Sequence, residues 1–95
     1  MTPESAVADR PQSVRFVLSA DSSPGLLPRL LQPFARRDLM PDAVVARCIG
    51  TLMHVEIAVA AMPWEALTYV EGNLRQIVGV RSLIRDTADT IPVAA

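Results

Sequence analysis

The chain has 95 residues, 51% of them hydrophobic and 4% aromatic, with a formal net charge of −1. That composition describes one small domain with an aliphatic core and excludes a disordered chain. The near-neutral charge offers no electrostatic footprint for nucleic acid, no apolar run approaches the ~20 residues of a membrane span, and the single cysteine, Cys48, excludes an internal disulfide or a cysteine-cluster metal site.

The segment from Met1 to Gln12 is polar, with Pro3, Asp9, Arg10 and Pro11, and lacks the apolar core of a secretory signal. It reads as a flexible tail, and the protein as cytoplasmic. Val14, Phe16 and Leu18 then alternate with Arg15, Val17 and Ser19, the period of a half-buried strand. Ala20 to Leu27 forms a junction around the step Pro24-Gly25. Gly lets a backbone turn sharply, and a helix start leaves N–H groups free for an anion or a carboxylate. On its own the step reads first as a strand-to-helix connection, because Gly and Pro punctuate most loops.

Leu27, Leu30, Leu31 and Phe34 recur at helical spacing, with Arg29, Arg36 and Arg37 on other faces. Pro28 suits a first helical turn. Pro33 in a helix interior removes a backbone bond and clashes with the preceding turn, which predicts a kink or a short, irregular helix. Asp38 to Asp42, with Pro41 inside, is the exit loop. Val44 to Ile49 and Leu52 to Ala60 are β-rich runs separated by Gly50-Thr51, a hairpin signal. In the second run Met53, Val55, Ile57 and Val59 share one face, and Leu52, His54, Glu56 and Ala58 share the other. Pro63 opens a second helix in which Leu67, Val70, Leu74 and Ile77 share a face, weakened by Gly72. Gly79 ends it, and Val80 to Arg85 is a last strand, leaving Thr87 to Ala95 as a tail.

The order β-α-β-β-α-β over residues 13–86 predicts an α+β, ferredoxin-like sandwich: a four-stranded antiparallel sheet with both helices on one face. That fold does not name a function. His54 is the only histidine, so His-pair metal sites and multi-His relays are absent. Glu56 shares its strand face, and the two read as a polar surface pair rather than a catalytic or metal-binding one. Cys48 reads as a small buried hydrophobe. An RNA-recognition surface needs aromatic residues on the outward face of the central strands, where this chain has Arg15, Val17, Ser19, His54 and Glu56. An acylphosphatase loop needs a Gly-rich phosphate cradle ending in Phe-Arg, and the residues after Leu18 do not supply it. Trp64 and Tyr69, off the main stripe of the second helix, read as caps on the core edge. The outward positions Val17, Leu52, Ala58 and Leu83 imply a covered face or a paired edge.

The run from Phe16 to Leu31, with Asp21-Ser22-Ser23-Pro24-Gly25-Leu26-Leu27 at its centre and Phe34-Ala35-Arg36-Arg37 after it, resembles the opening of an ACT domain. Leu74-Arg75-Gln76-Ile77-Val78-Gly79-Val80 is similar to that family's closing helix and strand. The likeness is strongest to the small regulatory subunits of acetolactate synthase and to short stand-alone relatives. It implies a non-catalytic regulatory module without cofactor or metal, forming a homodimer or higher oligomer, with no nucleic acid or membrane as partner. It further implies a small amino acid bound at the dimer interface by Asp21, Ser22, Ser23, Pro24, Gly25, Leu26 and Leu27, with Met40 reaching the site across that interface.

The departures from the family pattern set the ligand expected. Many ligand-binding members have His or Asn before the Pro-Gly step, where this chain has Ala20 and Ser22. After the first helix, Asp38-Leu39-Met40 replaces a Gly-x-Asn. Loss of amide donors and gain of an apolar wall favour a branched-chain or other apolar amino acid, in control of amino-acid metabolism. The alternative is a ligand-free interaction subunit that docks on a larger biosynthetic enzyme through its sheet or through Trp64 and Tyr69.

Overall fold

The structure, a computed structural model, describes residues 12–87. The tails expected at 1–12 and 87–95 lie outside the described residues except for Gln12 and Thr87, which belong to strands. The elements run β1 (Gln12–Asp21), α1 (Leu26–Arg36), β2 (Ala43–Ile49), β3 (Leu52–Met62), α2 (Trp64–Gln76) and β4 (Val80–Thr87). This is the βαββαβ order expected from the sequence. The four strands form one antiparallel sheet in the order β2-β3-β1-β4.

Register sorts the side chains into two faces. Phe16 sits opposite Ile57 and Arg85, and Leu18 opposite Val55 and Leu83. Val14, Phe16, Leu18, Ala20, Met53, Val55, Ile57 and Val59 are all buried on the side that both helices cover. Phe34 of α1 meets Phe16 of β1 edge-to-face, with ring centroids 5.8 Å apart, the arrangement favoured by the ring quadrupoles. No buried side-chain polar atom among the described residues lacks a partner.

Four sequence expectations change. The buried stripe of α1 is Leu26, Leu30, Pro33 and Phe34, with Leu27 and Leu31 only half-buried, so the helix is rotated by about one residue from the expected face. Pro33 lies inside the helix, its ring in the core, and the helix continues to Arg36. Leu83 is not outward: it faces the core opposite Leu18, and its neighbour Ile84 takes the outward position. Cys48 is exposed rather than buried. It points to the helix side, opposite Met53, but every residue of β2 is exposed, so neither helix covers this edge strand.

The ends of the elements explain the boundaries. After Arg37 the backbone turns left-handed at Asp38, φ 57°. Asp38 N–H donates to Ala35 O at 3.0 Å and Leu39 N–H to Phe34 O at 2.8 Å, the two bonds of a Schellman cap. Gly50 has φ 63° and occupies the first central position of the β2–β3 hairpin, where tight hairpin turns require positive φ.

Candidate functional site

One end of the sheet gathers three turns: the β1–α1 loop, the β2–β3 hairpin and the α2–β4 turn. Asp21 N–H donates to Gly79 O at 2.9 Å, and Ser22 N–H to Thr51 O at 2.9 Å. Gly79, with φ 101°, takes the positive-φ conformation that other residues adopt only under strain. The start of the expected ligand loop is therefore held by both neighbouring turns. Ser22 Oγ also lies 3.8 Å from Cys48 Sγ, which brings the edge strand β2 to the same place.

Beyond Ser22 the loop closes onto α1. Leu26 N–H donates to Ser23 O at 3.1 Å. No side chain caps the helix, and Gly25 stands at the N-cap. Pro28 has no N–H to offer. Gly25 N–H and Leu27 N–H find no acceptor among the described residues, so two donors of the helix start stay open.

Gly25 has φ −91°, a conformation open to any residue, and a Cβ built there would meet nothing closer than Arg29 Nη2 at 3.8 Å. The turn does not need glycine for its own geometry. What glycine leaves is an uncovered backbone beside the free donors.

Arg29 is the residue that sequence reasoning missed. Its Nε donates to Gly25 O at 3.1 Å and its Nη2 to Ser23 Oγ at 3.3 Å. A cation four residues after the N-cap lies one turn along, directly over the loop, and that spacing was the available signal. The opposite charge comes from Asp21, whose Oδ1 accepts from Arg81 Nε at 2.7 Å; both side chains are more than half exposed.

The remaining expected site residues are placed unevenly. Ser22, Ser23, Pro24 and Gly25 form the accessible loop, and Leu27 is half-buried beside it. Leu26 is fully buried in the core, so its side chain is turned away from any ligand on the loop surface. Met40 is 85% exposed and lies beyond the far end of α1, a helix of 11 residues that rises about 16 Å. Within one chain the loop and Met40 are not brought together.

Elsewhere, His54 Nε2 and Glu56 Oε2 are 3.8 Å apart, with Arg15 bridging Glu56 at 3.9 Å and Asp86 at 3.4 Å on the open sheet face. Among the described residues no three His, Cys, Asp or Glu side chains gather as a metal site, and no helix is long and apolar enough to cross a membrane. Trp64 is exposed. Tyr69 is half-buried under the Arg37 guanidinium, 4.2 Å from its ring centroid, a cation–π contact joining the helices.

No curated protein sequence matches the chain. Among solved structures, it is similar to the ACT domain of a GTP pyrophosphokinase from Chlorobium tepidum. The crystal structure of that domain gives a TM-score of 0.67 at 13% identity over 79% of this chain and 97% of that one. Its solution structure gives 0.63 at 14% identity, over 77% and 83%. The ligand-free regulatory subunit of aspartate kinase from Thermus thermophilus gives 0.61 at 22% identity over 79% of this chain and 50% of that one. These likenesses concern the fold. Residues 7–90 match the family model described as an ACT-like domain, and the chain belongs to that family of regulatory, ligand-binding modules.

Proposed function

We propose that the chain is a non-catalytic regulatory module, acting in the cytoplasm, that binds a small amino acid and works as a homodimer or larger assembly in the control of amino-acid metabolism. The observation that carries this reading is the chemistry of the β1–α1 loop. The connection carries open N–H groups at Gly25 and Leu27 and the Arg29 guanidinium at its helix end, and the exposed Asp21 carboxylate at its strand end. A carboxylate takes the donors and an ammonium takes Asp21. The half-buried Leu27 and a second copy's Met40 supply the apolar wall that favours a branched-chain or other apolar side chain. Similarity to acetolactate synthase small subunits is a narrower expectation that shares this chemistry.

Support for pairing comes from β2. Its sequence Ala43-Val44-Val45-Ala46-Arg47-Cys48-Ile49 has one charge and no proline, and the whole strand is exposed at a sheet edge. Monomers guard such edges with charges, bulges or covering elements. A second copy adding its own β2 antiparallel satisfies the free backbone groups. The test is mass in solution together with calorimetric titration of all twenty amino acids. A monomer that binds none of them removes the reading.

The second reading is a ligand-free interaction subunit docking on a larger biosynthetic enzyme. Its support is Trp64, 52% exposed at the start of α2, a residue type enriched at interface anchors. Gly25→Asp separates the two: it abolishes the ligand response under the first reading and leaves docking intact under the second.

A further inference from the structure

The open face of the sheet carries a depression of about 490 Å3 lined by Val45, Arg47, Ile49, His54 and Glu56. Arg47 stands opposite His54, and Val45 opposite Glu56, across the β2–β3 ladder. These residues lie on the face opposite the core, with two apolar walls, one cation, one anion and an imidazole between them. Arg47 makes no ion pair among the described residues. Glu56 is approached by Arg15 at 3.9 Å and by His54 at 3.8 Å, beyond hydrogen-bond length, so its acceptor positions remain open.

We infer that this depression is a second zwitterion site, for an α-amino acid whose carboxylate is held by Arg47, whose ammonium is held by Glu56, and whose aliphatic side chain lies on Val45 and Ile49. The inference rests on the β2 pairing proposed above. A two-fold axis normal to the sheet keeps the open faces of both copies on one side, so a second β2 adds a floor about 4.8 Å away. The depression, open along its β2 side in one chain, becomes a groove. The same operation brings two Arg47 side chains onto one face within a few residues of each other, where two unpaired cations repel. A bound carboxylate relieves that repulsion and accepts the guanidinium fork bidentately. Diagonal cross-strand neighbours have Cβ atoms about 7–8 Å apart, a span that the side chains of Arg47 and Glu56 close around a small zwitterion. The site shares no residue with the β1–α1 loop.

The test is backbone NMR of the full chain titrated with each of the twenty amino acids, alongside mass in solution. The expected result is a dimer with amide shifts clustered at residues 45–49 and 54–56. In Arg47→Gln and Glu56→Gln the apparent affinity falls at least about tenfold, the loss of one charge-assisted contact, while the mass stays unchanged. Shifts confined to residues 21–27 overturn the second site and leave the loop reading standing. Affinity at 45–56 that survives both substitutions overturns it, as does an Arg47→Gln chain that becomes monomeric, which would make Arg47 a pairing residue. A wild-type monomer overturns the pairing and the groove with it, whatever the loop binds.

Discussion

Arg81 Nε reaches Asp21 Oδ1 at 2.7 Å, tying the last residue of β1 to the second residue of β4 at the start of the β1–α1 loop. Both side chains are well exposed, so the pair contributes less than about 1 kcal/mol to stability. In the proposed site, this pair competes with an incoming ammonium for the Asp21 carboxylate. Arg81→Ala therefore leaves thermal stability nearly unchanged and tightens amino-acid binding, whereas Asp21→Asn weakens it. Paired melting curves and titrations check this, and equal affinity in both variants would remove Asp21 from the site.

Arg29 lies over the loop through Gly25 O and Ser23 Oγ. Arg29→Gln shortens the side chain and removes the charge while keeping hydrogen-bonding capacity. It is expected to lower amino-acid affinity about tenfold or more with a circular dichroism spectrum like the wild type. Arg29→Lys recovers only part of the loss, because an ammonium lacks the planar fork.

Asp38 closes α1 in the left-handed region, where a Cβ costs about 1–2 kcal/mol for most residues and less for Asp. Asp38→Gly keeps both Schellman bonds and relieves that cost. A gain of roughly 0.5–1 kcal/mol in denaturant midpoint analysis is the expected outcome. A loss would mean that the Asp38 side chain supports the cap in a way that its backbone bonds do not.

The β2 edge supplies a fourth prediction. Val44 is 41% exposed in the single chain, so Val44→Lys costs little folding stability by itself. A lysine on an edge strand opposes pairing with another strand. Sedimentation of Val44→Lys should give half the wild-type mass with an unchanged melting profile at low protein concentration. An unchanged dimer would place the interface elsewhere.

The fold was legible because its signals are local. Period-2 alternation in β1 and β3, the Gly50-Thr51 turn and the Pro63 helix start each act within a few residues, and the register then follows from burial. Residues whose state depends on what lies above them were not legible. Cys48 has the inward phase of its strand, yet β2 lies outside the helices' cover, so phase did not give burial. Leu83 and Ile84 are adjacent apolar residues, and only pairing with Leu18 decides which one is inside. In α1 two apolar ridges, 26/30/34 and 27/31, compete, and periodicity alone does not choose between them. The β1–α1 loop was legible as a junction, but its contacts were not. The sharp turn that glycine permits is not used at Gly25, whose φ is −91°, and Arg29, which the spacing puts on another face of α1 than its apolar stripe, closes onto the loop through Gly25 O and Ser23 Oγ.

The hydrogen bond from Ser22 N–H to Thr51 O joins the loop to the turn that ends β2. Anything that repositions Ser22 thus acts on the edge through which a second copy would add. Linkage makes such coupling reciprocal: a ligand that holds the pair more tightly than the monomer is itself held more tightly by the pair, by the same factor. A dose–response curve for this protein should then slide to lower ligand concentration as the protein itself becomes more abundant, so that one small domain reports a product of two concentrations.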